Sequence, residues 1–435
     1  MKYLTQIYVV LCLISLVIIS SITTIYCINK QIPFFINIQK NLFSYYKLKH
    51  LQQIRKDPVV IENYVRLSHP GTGVTVYDSK KAYGDYTFFV TGEGSVARLI
   101  DMHGTTVHKW SFNFSKVWSK PKHVIDPQTD NLIIWRHAHL FSNGDILAMF
   151  EAYDVPYGYG LIKLDKNSKL IWALPENIHH SLYVDKDGFI YALSQKRIKN
   201  DYELMKNVYS RLLEDYIVKI TPDGKKIEEI SVTKLFLNSK YKSILSSIEG
   251  WDPWHTNSIV VFEKNLSKFF NVFNKGNALI SLRSPSLLAV IDFKNLNIAW
   301  ASRGTWRYQH DCNILDDGSL LLFDNSGHPG EELPRSRIIR FNPVNHKILW
   351  EYTGTREKPF FSIGRGSQQK LLNDNILITE SHKSRIFEVT KNKEIVWEFL
   401  APYCNKNNNQ ICPVLMSAKR FLKKDLLFIN RKAVR

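Results

Sequence analysis

The sequence predicts an all-β fold, a six-bladed β-propeller, preceded by an N-terminal transmembrane helix. Six copies of a strand–turn–strand phrase, usually ending in Trp, and a second hairpin signal ahead of most copies predict the propeller. A long uncharged run at the amino end predicts the helix.

The repeated phrase consists of an aliphatic strand, a polar turn and a second strand. Its copies cover residues 97–110, 162–174, 218–230, 288–302, 338–352 and 386–399. The earlier hairpin has a turn followed by a hydrophobic run, as in FSNGDILAMFE and LDDGSLLLFDN. Two hairpins make one four-stranded blade. Because blades close into one ring, we expect residues 70–435 to form a single domain.

The amino end has the character of a membrane segment. Residues 3–29 carry no charged side chain and exceed the roughly 20 apolar residues that cross a bilayer. The alternative is a cleaved signal peptide, which would have a shorter apolar region and small residues at a cleavage site, so we expect a transmembrane anchor over residues 1–29. Residues 30–69 interleave lysines with aromatic residues and predict a basic juxtamembrane linker, either a solvated helix or one lying on anionic lipid. Membrane lipid is thus an expected partner.

The orientation of this anchor has indications in both directions. Lysines follow the uncharged run, which taken alone favours a cytoplasmic propeller, but large domains are exported whatever their charge. Cys404 and Cys412 are spaced either for a disulfide, typical of an oxidising compartment, or as two reduced thiols.

The net charge indicates an anionic partner. The chain has 58 Lys and Arg against 40 Asp and Glu, a net charge of +18. The basic residues are scattered along turns, and signatures of nucleic-acid recognition are lacking, so no nucleic acid is expected. A small acidic substrate or a lipid surface fits the charge better.

Histidines recur at similar positions in the blades. His137, His180 and His310 lie seven or eight residues before the turn glycines Gly144, Gly188 and Gly318. Equivalent positions in a propeller form a ring around the central channel. His255, in DPWHTNSI, holds the corresponding place before a strand whose turn is delayed by an insertion. We expect these four histidines at one end of the channel, the alternative being histidines hydrogen-bonded within blade loops.

Two histidine pairs invite a metal interpretation. His137 with His139, and His179 with His180, carry imidazoles that zinc or copper would accept. No cysteine joins either pair and neither has helical spacing. No metal site and no cofactor are therefore expected.

Four further segments share a known pattern: GVTVYDSKKAYGDYTFF, DPWHTNSI, WRYQHDCNILDDGSLLLFDNSGH and SRIFEVTKNKEIVWEF. Over roughly residues 70–400 they resemble the arylsulfotransferase family, six-bladed propellers of the bacterial cell envelope. It implies transfer of a sulfuryl group from an aryl sulfate to a phenol through a sulfohistidine, without the nucleotide donor PAPS. It also implies a single-pass membrane protein whose propeller is extracytoplasmic, in the periplasm.

The resemblance also implies residue roles. His255 and His310 match two family catalytic histidines, for sulfuryl-oxygen binding and general acid–base work, with Asn257, Asp324 and Asn325 to orient them. His382, in ILITESHKSRIF, is the candidate nucleophile, although its spacing from the strand differs from that in the family. Further substrate-binding candidates are His137, His180, His328 and Arg365.

One family residue is not matched. The family's catalytic arginine closely follows Phe-Asp-Asn, where this chain has His328. Arg335 and Arg337 come later in that loop, and Arg283 or Arg365 is an alternative source of positive charge. The unmatched arginine keeps open a noncatalytic propeller that binds an anionic ligand or a protein partner at the membrane.

Overall fold

A computed structural model of the chain describes residues 2–30, 32, 64–66, 72–124, 127–152, 158–325, 335–404 and 411–429. The chain divides into two compact units, Met1–Ile61 and Glu62–Arg435. In the first unit, helix α1 spans Lys2–Asn29. Across the described ranges, no helix combines the length and apolar character that crossing a membrane requires. The expected anchor is therefore not confirmed, and the expected basic linker lies almost wholly outside the described residues.

The second unit is a six-bladed β-propeller, and its strands follow the chain blade by blade. Strands β1 (Tyr64–Arg66) and β2 (Gly73–Tyr77) come first and lie outside blade 1. Blade 1 has β3 (Tyr86–Thr91), β4 (Val96–Asp101) and β5 (Thr106–Ser111). Blade 2 has β6 (Ile133–Leu140), β7 (Ile146–Ala152), β8 (Gly158–Leu164) and β9 (Leu170–Leu174). Blade 3 has β10 (Ile178–Val184), β11 (Ile190–Lys199), β12 (Arg211–Ile220) and β13 (Lys226–Ser231).

The remaining strands continue in the same order. Blade 4 has β14 (Thr256–Val261), β15 (Ala278–Leu282), β16 (Leu287–Asp292) and β17 (Asn297–Arg303). Blade 5 has β18 (His310–Ile314), β19 (Leu320–Asp324), β20 (Arg337–Phe341) and β21 (Ile348–Tyr352). Blade 6 has β22 (Ser367–Lys370), β23 (Ile376–Glu380), β24 (Arg385–Val389) and β25 (Ile395–Leu400), and β26 (Ile411–Pro413) and β27 (Leu415–Phe421) end the series.

Short helices connect some of these strands. Helix α2 spans Val232–Leu237 between blades 3 and 4. Single 3₁₀ turns occupy Phe114–Lys116, Asp130–Leu132, Lys242–Ser247, Ser381–Lys383 and Lys423–Asp425.

Both ends of the propeller unit take part in closing the ring. The carboxyl-terminal β27 pairs antiparallel with β3 and becomes the inner strand of blade 1, so that blade runs β27-β3-β4-β5. At the other end β2 pairs with β25 as a fifth, outer strand of blade 6. This explains why the first repeated phrase has only one strand ahead of it. Its inner strand lies more than 300 residues away along the chain.

In four of the six blades the repeated Trp bonds the next blade. The phrase forms the two outer strands of blades 1 to 5, as expected, and in blade 6 it forms β24 and β25, which β2 covers on the outside. The indole N–H of Trp110 donates to the carbonyl of Gly144 in the turn of blade 2, at 3.0 Å. In the same way Trp172 donates to Pro222 of blade 3, Trp350 to Lys391 of blade 6, and Trp397 to Met102 of blade 1. The Trp therefore fills space between blades while satisfying its single polar atom.

Insertions shape the entry to blade 4. The turn between β14 and β15 runs from Phe262 to Asn277, the delay that the sequence predicts. Helix α2 begins at the cap Ser231, whose hydroxyl accepts from the Lys234 N–H at 3.1 Å. The segment from α2 to β14 carries Trp254, which stacks on Phe236. This buried packing positions the neighbouring Asp252 and His255.

Cys404 and Cys412 form a disulfide. Cys412 lies in β26, which pairs with β1, so the bridge ties blade 6 to the segment leading into β27.

Candidate active site

The inner strands share an irregularity near their starts. Register shifts interrupt β6 between Trp135 and His137, β10 between His179 and Leu182, β14 between Thr256 and Ser258, and β18 between His310 and Asn313. Such bulges break the alternation of side chains and re-aim one of them. His180 and His255 also have positive φ angles, 56° and 47°. Non-glycine residues rarely adopt this conformation, and when they do they often lie at functional sites.

Three histidines of blades 3 and 4 form one group. The Nδ1 atoms of His179 and His180 are 2.7 Å apart, so a single proton is shared between them. The rings of His180 and His255 meet edge to face with centroids 4.7 Å apart. Nδ1 of His255 donates to the Asp252 carboxylate at 2.5 Å. A carboxylate at this distance stabilises the positive charge on an imidazole protonated at both nitrogens.

Two further histidines, of blades 5 and 6, are joined by a hydrogen-bond chain. Nδ1 of His310 lies 2.7 Å from the amide oxygen of Asn325 and 3.0 Å from the Tyr308 carbonyl, both acceptors, so Nδ1 carries the proton. The Asn325 amide nitrogen donates to the Ser362 carbonyl at 2.8 Å. The hydroxyl of Ser362 in turn lies 3.0 Å from Nδ1 of His382.

The same contacts determine the tautomer of His382. The hydroxyl of Ser362 donates its one proton to the Gly364 carbonyl at 2.7 Å, so it accepts from His382 Nδ1. Nε2 of His382 therefore carries a lone pair. The buried Glu380 joins the segment of Ser362 to the segment of His382. Its carboxylate accepts from the Phe361 N–H at 2.8 Å and pairs with Arg385 at 2.9 Å.

Burial keeps these imidazoles neutral. Burial and the charge of Arg365 lower the pKa of His382 to about 4. Burial, His255 and Arg136 hold the pKa of His180 well below its usual range. The pKa of His310 is also well below that range because burial outweighs the favourable bond to Asn325. These rings offer lone pairs rather than positive charge at neutral pH.

Arg136 supplies positive charge to the site, and the sequence analysis did not single it out. Arg136 is the bulge residue of β6 and is 6% exposed. Its Nε lies 3.5 Å from the Glu151 carboxylate. Burial lowers its pKa to about 10, so the guanidinium stays charged at neutral pH. A strict count of eight residues back from Gly144 would have found it, because His180 and His310 stand eight before their own glycines.

A buried acid lies behind the histidines. The Asp215 carboxylate accepts from the Thr256 N–H at 2.6 Å and from Gln195 at 2.7 Å. Burial and the nearby charge of Asp252 raise the pKa of Asp215 above its usual range. For Asp252, burial acts in the same direction, but His255 outweighs it and lowers the pKa. The neutral Asp215 and ionised Asp252 hold His179 and His255 from behind.

His137 stands one residue beyond the bulge of β6. Burial, Lys419 and Arg136 lower the pKa of His137 to about 3. Of the four histidines expected at one end of the channel, His255 and His310 both contribute to lowering the pKa of His180, and Arg136 holds the equivalent position in blade 2. A shift of one residue turns a strand side chain to another direction.

The other expected residues differ in role. Asn257 donates to the Gln309 carbonyl at 2.7 Å and so supports the backbone before His310. Asp324 accepts from the Arg337 guanidinium at 2.7 Å and from the Arg307 N–H at 2.9 Å, which braces blade 5. The Arg365 carbonyl accepts from Asn325 at 2.8 Å. His328 lies outside the described residues.

Several arginines were candidates to replace the family's unmatched catalytic arginine, and of these Arg337 has a structural role. Besides Asp324 it contacts Glu351 and the Thr305 carbonyl. Arg283 lies over the Tyr308 ring, 4.9 Å from its centroid, and its charge contributes to the low pKa of His310. In the described part of the chain, no group of three or more His, Cys, Asp or Glu side chains is arranged to hold a metal ion.

Together, the blades and the site define a six-bladed propeller with a histidine- and arginine-lined site at one end of its inner strands. The family model described as arylsulfotransferase (ASST) matches residues 137–401. The chain belongs to this arylsulfotransferase family, as its motifs predict. The match begins one residue after Arg136.

Comparison with other proteins gives distant similarities. No curated protein matches the chain. A protein of unknown function from Bacteroides caccae is 12% identical, with 76% of this chain and 99% of that one covered and a TM-score of 0.48. A streptogramin B lyase is 14% identical over 81% of this chain and 94% of its own, TM-score 0.41. A virginiamycin B lyase from Staphylococcus aureus is 14% identical over 77% and 86%, TM-score 0.40.

Proposed function

We propose that this protein is an aryl sulfotransferase that moves a sulfuryl group from a phenolic sulfate ester to a phenolic acceptor, independently of PAPS, through a sulfohistidine on His382. The observation that carries the proposal is the state of His382. Its ring is neutral and its Nδ1 proton is engaged by Ser362, which leaves the Nε2 lone pair as a nucleophile. Membership of the arylsulfotransferase family supports the same reaction.

In the first step the Nε2 lone pair of His382 attacks the sulfur of the donor. The bond from sulfur to the aryl oxygen breaks, and its electron pair leaves with that oxygen. His255, protonated and held by Asp252, gives its proton to the departing phenolate. The products are sulfohistidine, a free phenol and neutral His255.

In the second step the acceptor phenol takes the place of the first product. His255, now neutral, removes the phenol proton while the phenol oxygen attacks sulfur. The N–S bond breaks and its electron pair returns to Nε2 of His382. His310 presents an unprotonated Nε2 because its Nδ1 proton is bonded to Asn325, so it accepts the hydrogen bond of the phenol hydroxyl as the phenol enters, before that hydroxyl turns to His255 and loses its proton.

The proposal extends to location. We propose that the uncharged amino-terminal run anchors the protein in the membrane, with the propeller in the periplasm. The absence of charge over residues 3–29 supports the anchor. The disulfide between Cys404 and Cys412 is consistent with an oxidising compartment.

The first test is turnover of 4-nitrophenyl sulfate with a phenol acceptor, followed as release of 4-nitrophenolate. We expect turnover in the parent, none in His382→Ala, and label from a sulfur-labelled donor on the parent only. His103→Ala is the matched control, because His103 is an exposed histidine of a blade 1 turn.

Two results would change the proposal. Turnover that survives His382→Ala would reject this nucleophile and keep the enzyme. A parent that is inert towards a panel of activated aryl sulfates would reject the enzyme and favour the noncatalytic, anion-binding propeller.

A further inference from the structure

We propose that Arg136 binds the peripheral oxygens of the sulfuryl group and so supplies the positive charge of the arginine that this chain lacks after Asn325. The inference rests on the proposed sulfuryl transfer and names a further residue for it. A sulfate ester keeps a negative charge on its peripheral oxygens, and a loose transition state keeps it there while the bond to the leaving oxygen breaks. A guanidinium meets such oxygens with two parallel N–H bonds.

The first argument is position. Arg136 stands at the bulge of β6, eight residues before the turn glycine of blade 2. His180 and His310 occupy the same place in blades 3 and 5. Three blades therefore present Arg136, His180 and His310 at equivalent points around the channel.

The second argument is incomplete pairing. Across the described residues, the one ion-pair partner of Arg136 is Glu151, at 3.5 Å, which is longer than a good charge-assisted hydrogen bond. Arg337, equally buried, bonds Asp324 at 2.7 Å and the Thr305 carbonyl at 2.6 Å and also reaches Glu351. Since a guanidinium has five N–H donors, Arg136 keeps donors for an anion where Arg337 does not.

The third argument is reach. The charge of Arg136 contributes to the low pKa values of His180, His310 and His382. One guanidinium thus acts on histidines of three other blades. A donor whose sulfur lies at His382 Nε2 would place its peripheral oxygens within this field.

The test measures binding separately from chemistry. The probe is 4-nitrobenzenesulfonate, an aryl sulfonate whose carbon–sulfur bond does not transfer, titrated into the full chain by calorimetry. We expect Arg136→Gln to weaken binding by roughly 10- to 100-fold, the usual effect of losing a hydrogen bond to a charged group. Arg136→Lys should retain part of the affinity. Arg340→Gln, a control in the blade 5 pair with Asp317, should bind as the parent does.

Glu151→Gln should change the sulfonate affinity in the opposite direction. It removes the counter-charge from Arg136, so an anion-binding arginine should bind the sulfonate more tightly than in the parent. If the ion pair were merely structural, Glu151→Gln and Arg136→Gln would both weaken sulfonate binding, and both would lower the melting temperature by similar amounts. If Arg136→Gln does not fold, the other two variants still test the inference. Arg136→Lys should bind the sulfonate more weakly than the parent, and Glu151→Gln should bind it more tightly.

The outcomes separate this inference from the proposed function. Sulfonate binding that depends on Arg136 in a parent without turnover would keep the anion site and reject transfer. A parent that turns over, with Arg136→Gln equal to it in kcat/KM and in sulfonate affinity, would reject Arg136 and keep transfer. A parent that binds no sulfonate would also overturn the inference.

Discussion

At the scale of single residues, hydrogen-bond partners decide what each imidazole does. His310 and His382 are both neutral, and in both the Nδ1 proton is held by an oxygen of the protein. Each ring therefore turns a lone pair outward. His255 differs because its Nδ1 donates a charge-assisted hydrogen bond to the Asp252 carboxylate. One residue type thus serves as nucleophile, acceptor and acid in the proposed reaction.

The low pKa of His382 predicts a pH profile for the proposed sulfohistidine formation. The reactive ring is neutral, and with a pKa of about 4 it stays neutral from pH 7 down to about 5. The single-turnover rate with an easily leaving phenol should therefore be flat over that range and fall about tenfold per pH unit well below 4. A histidine with an ordinary pKa would decline below about 6.5.

The charge of Arg365 can be tested in the same experiment. Because this charge helps to lower the pKa of His382, Arg365→Gln should move the inflection to higher pH. The surface variant Arg340→Gln should leave it in place. An inflection near pH 6.5 in the parent, unmoved in Arg365→Gln, would contradict the assignment.

At the scale of elements, β27 closes the propeller. It pairs with β3, and its residues Met416 and Leu415 lie in hydrophobic clusters on the two sides of blade 1. Without it, β3 would present an unpaired inner edge to the channel. The ring therefore depends on one strand whose partner is distant in sequence, and such a closure contributes only after most blades are formed.

A truncation tests this closure. A chain ending at residue 404 lacks β26 and β27, and we expect it to lose a single cooperative thermal transition because blade 1 loses its inner strand. A chain beginning at Glu62 is the control, since it keeps all the strands and should melt as the full chain does. Calorimetry or circular dichroism measures both. A cooperative transition at the parent temperature in the shorter chain would show that β27 is dispensable.

At the scale of the whole molecule, the net charge and the proposed anchor bear on the proposed location. A net charge of +18 favours anionic partners, whether small substrates or anionic lipid. The proposed anchor would hold the propeller beside such a surface.

Fractionation tests the proposed anchor. Full-length protein should sediment with membranes and resist alkaline carbonate, because an apolar segment inside the bilayer is not released by removing charge interactions. The chain beginning at Glu62 should be recovered in the soluble fraction. Release of the full chain by carbonate would show peripheral attachment or cleavage instead.

Local pattern alone determined the blade architecture. The strand–turn–Trp phrase predicts hairpins because pairing within a hairpin is set by neighbouring residues, and each phrase forms a hairpin of its blade, the outer pair in blades 1 to 5. Its Trp recurs because it bonds the next blade. The spacing to the turn glycines also predicted equivalent positions for His180 and His310. The family motifs predicted His255 and His382 as further site residues.

Only the tertiary structure decided the rest. The bulge in β6 put Arg136 at the site and His137 beside Lys419, because a one-residue shift of register changes which side chain points there. Asp324 and Asn325 were both expected to orient a histidine, but Asn325 bonds His310 whereas Asp324 bonds Arg337. The pairing of β27 with β3 joins residues more than 300 positions apart. Register shifts and distant pairings leave no periodic trace in the sequence, since they arise where separate strands meet in space.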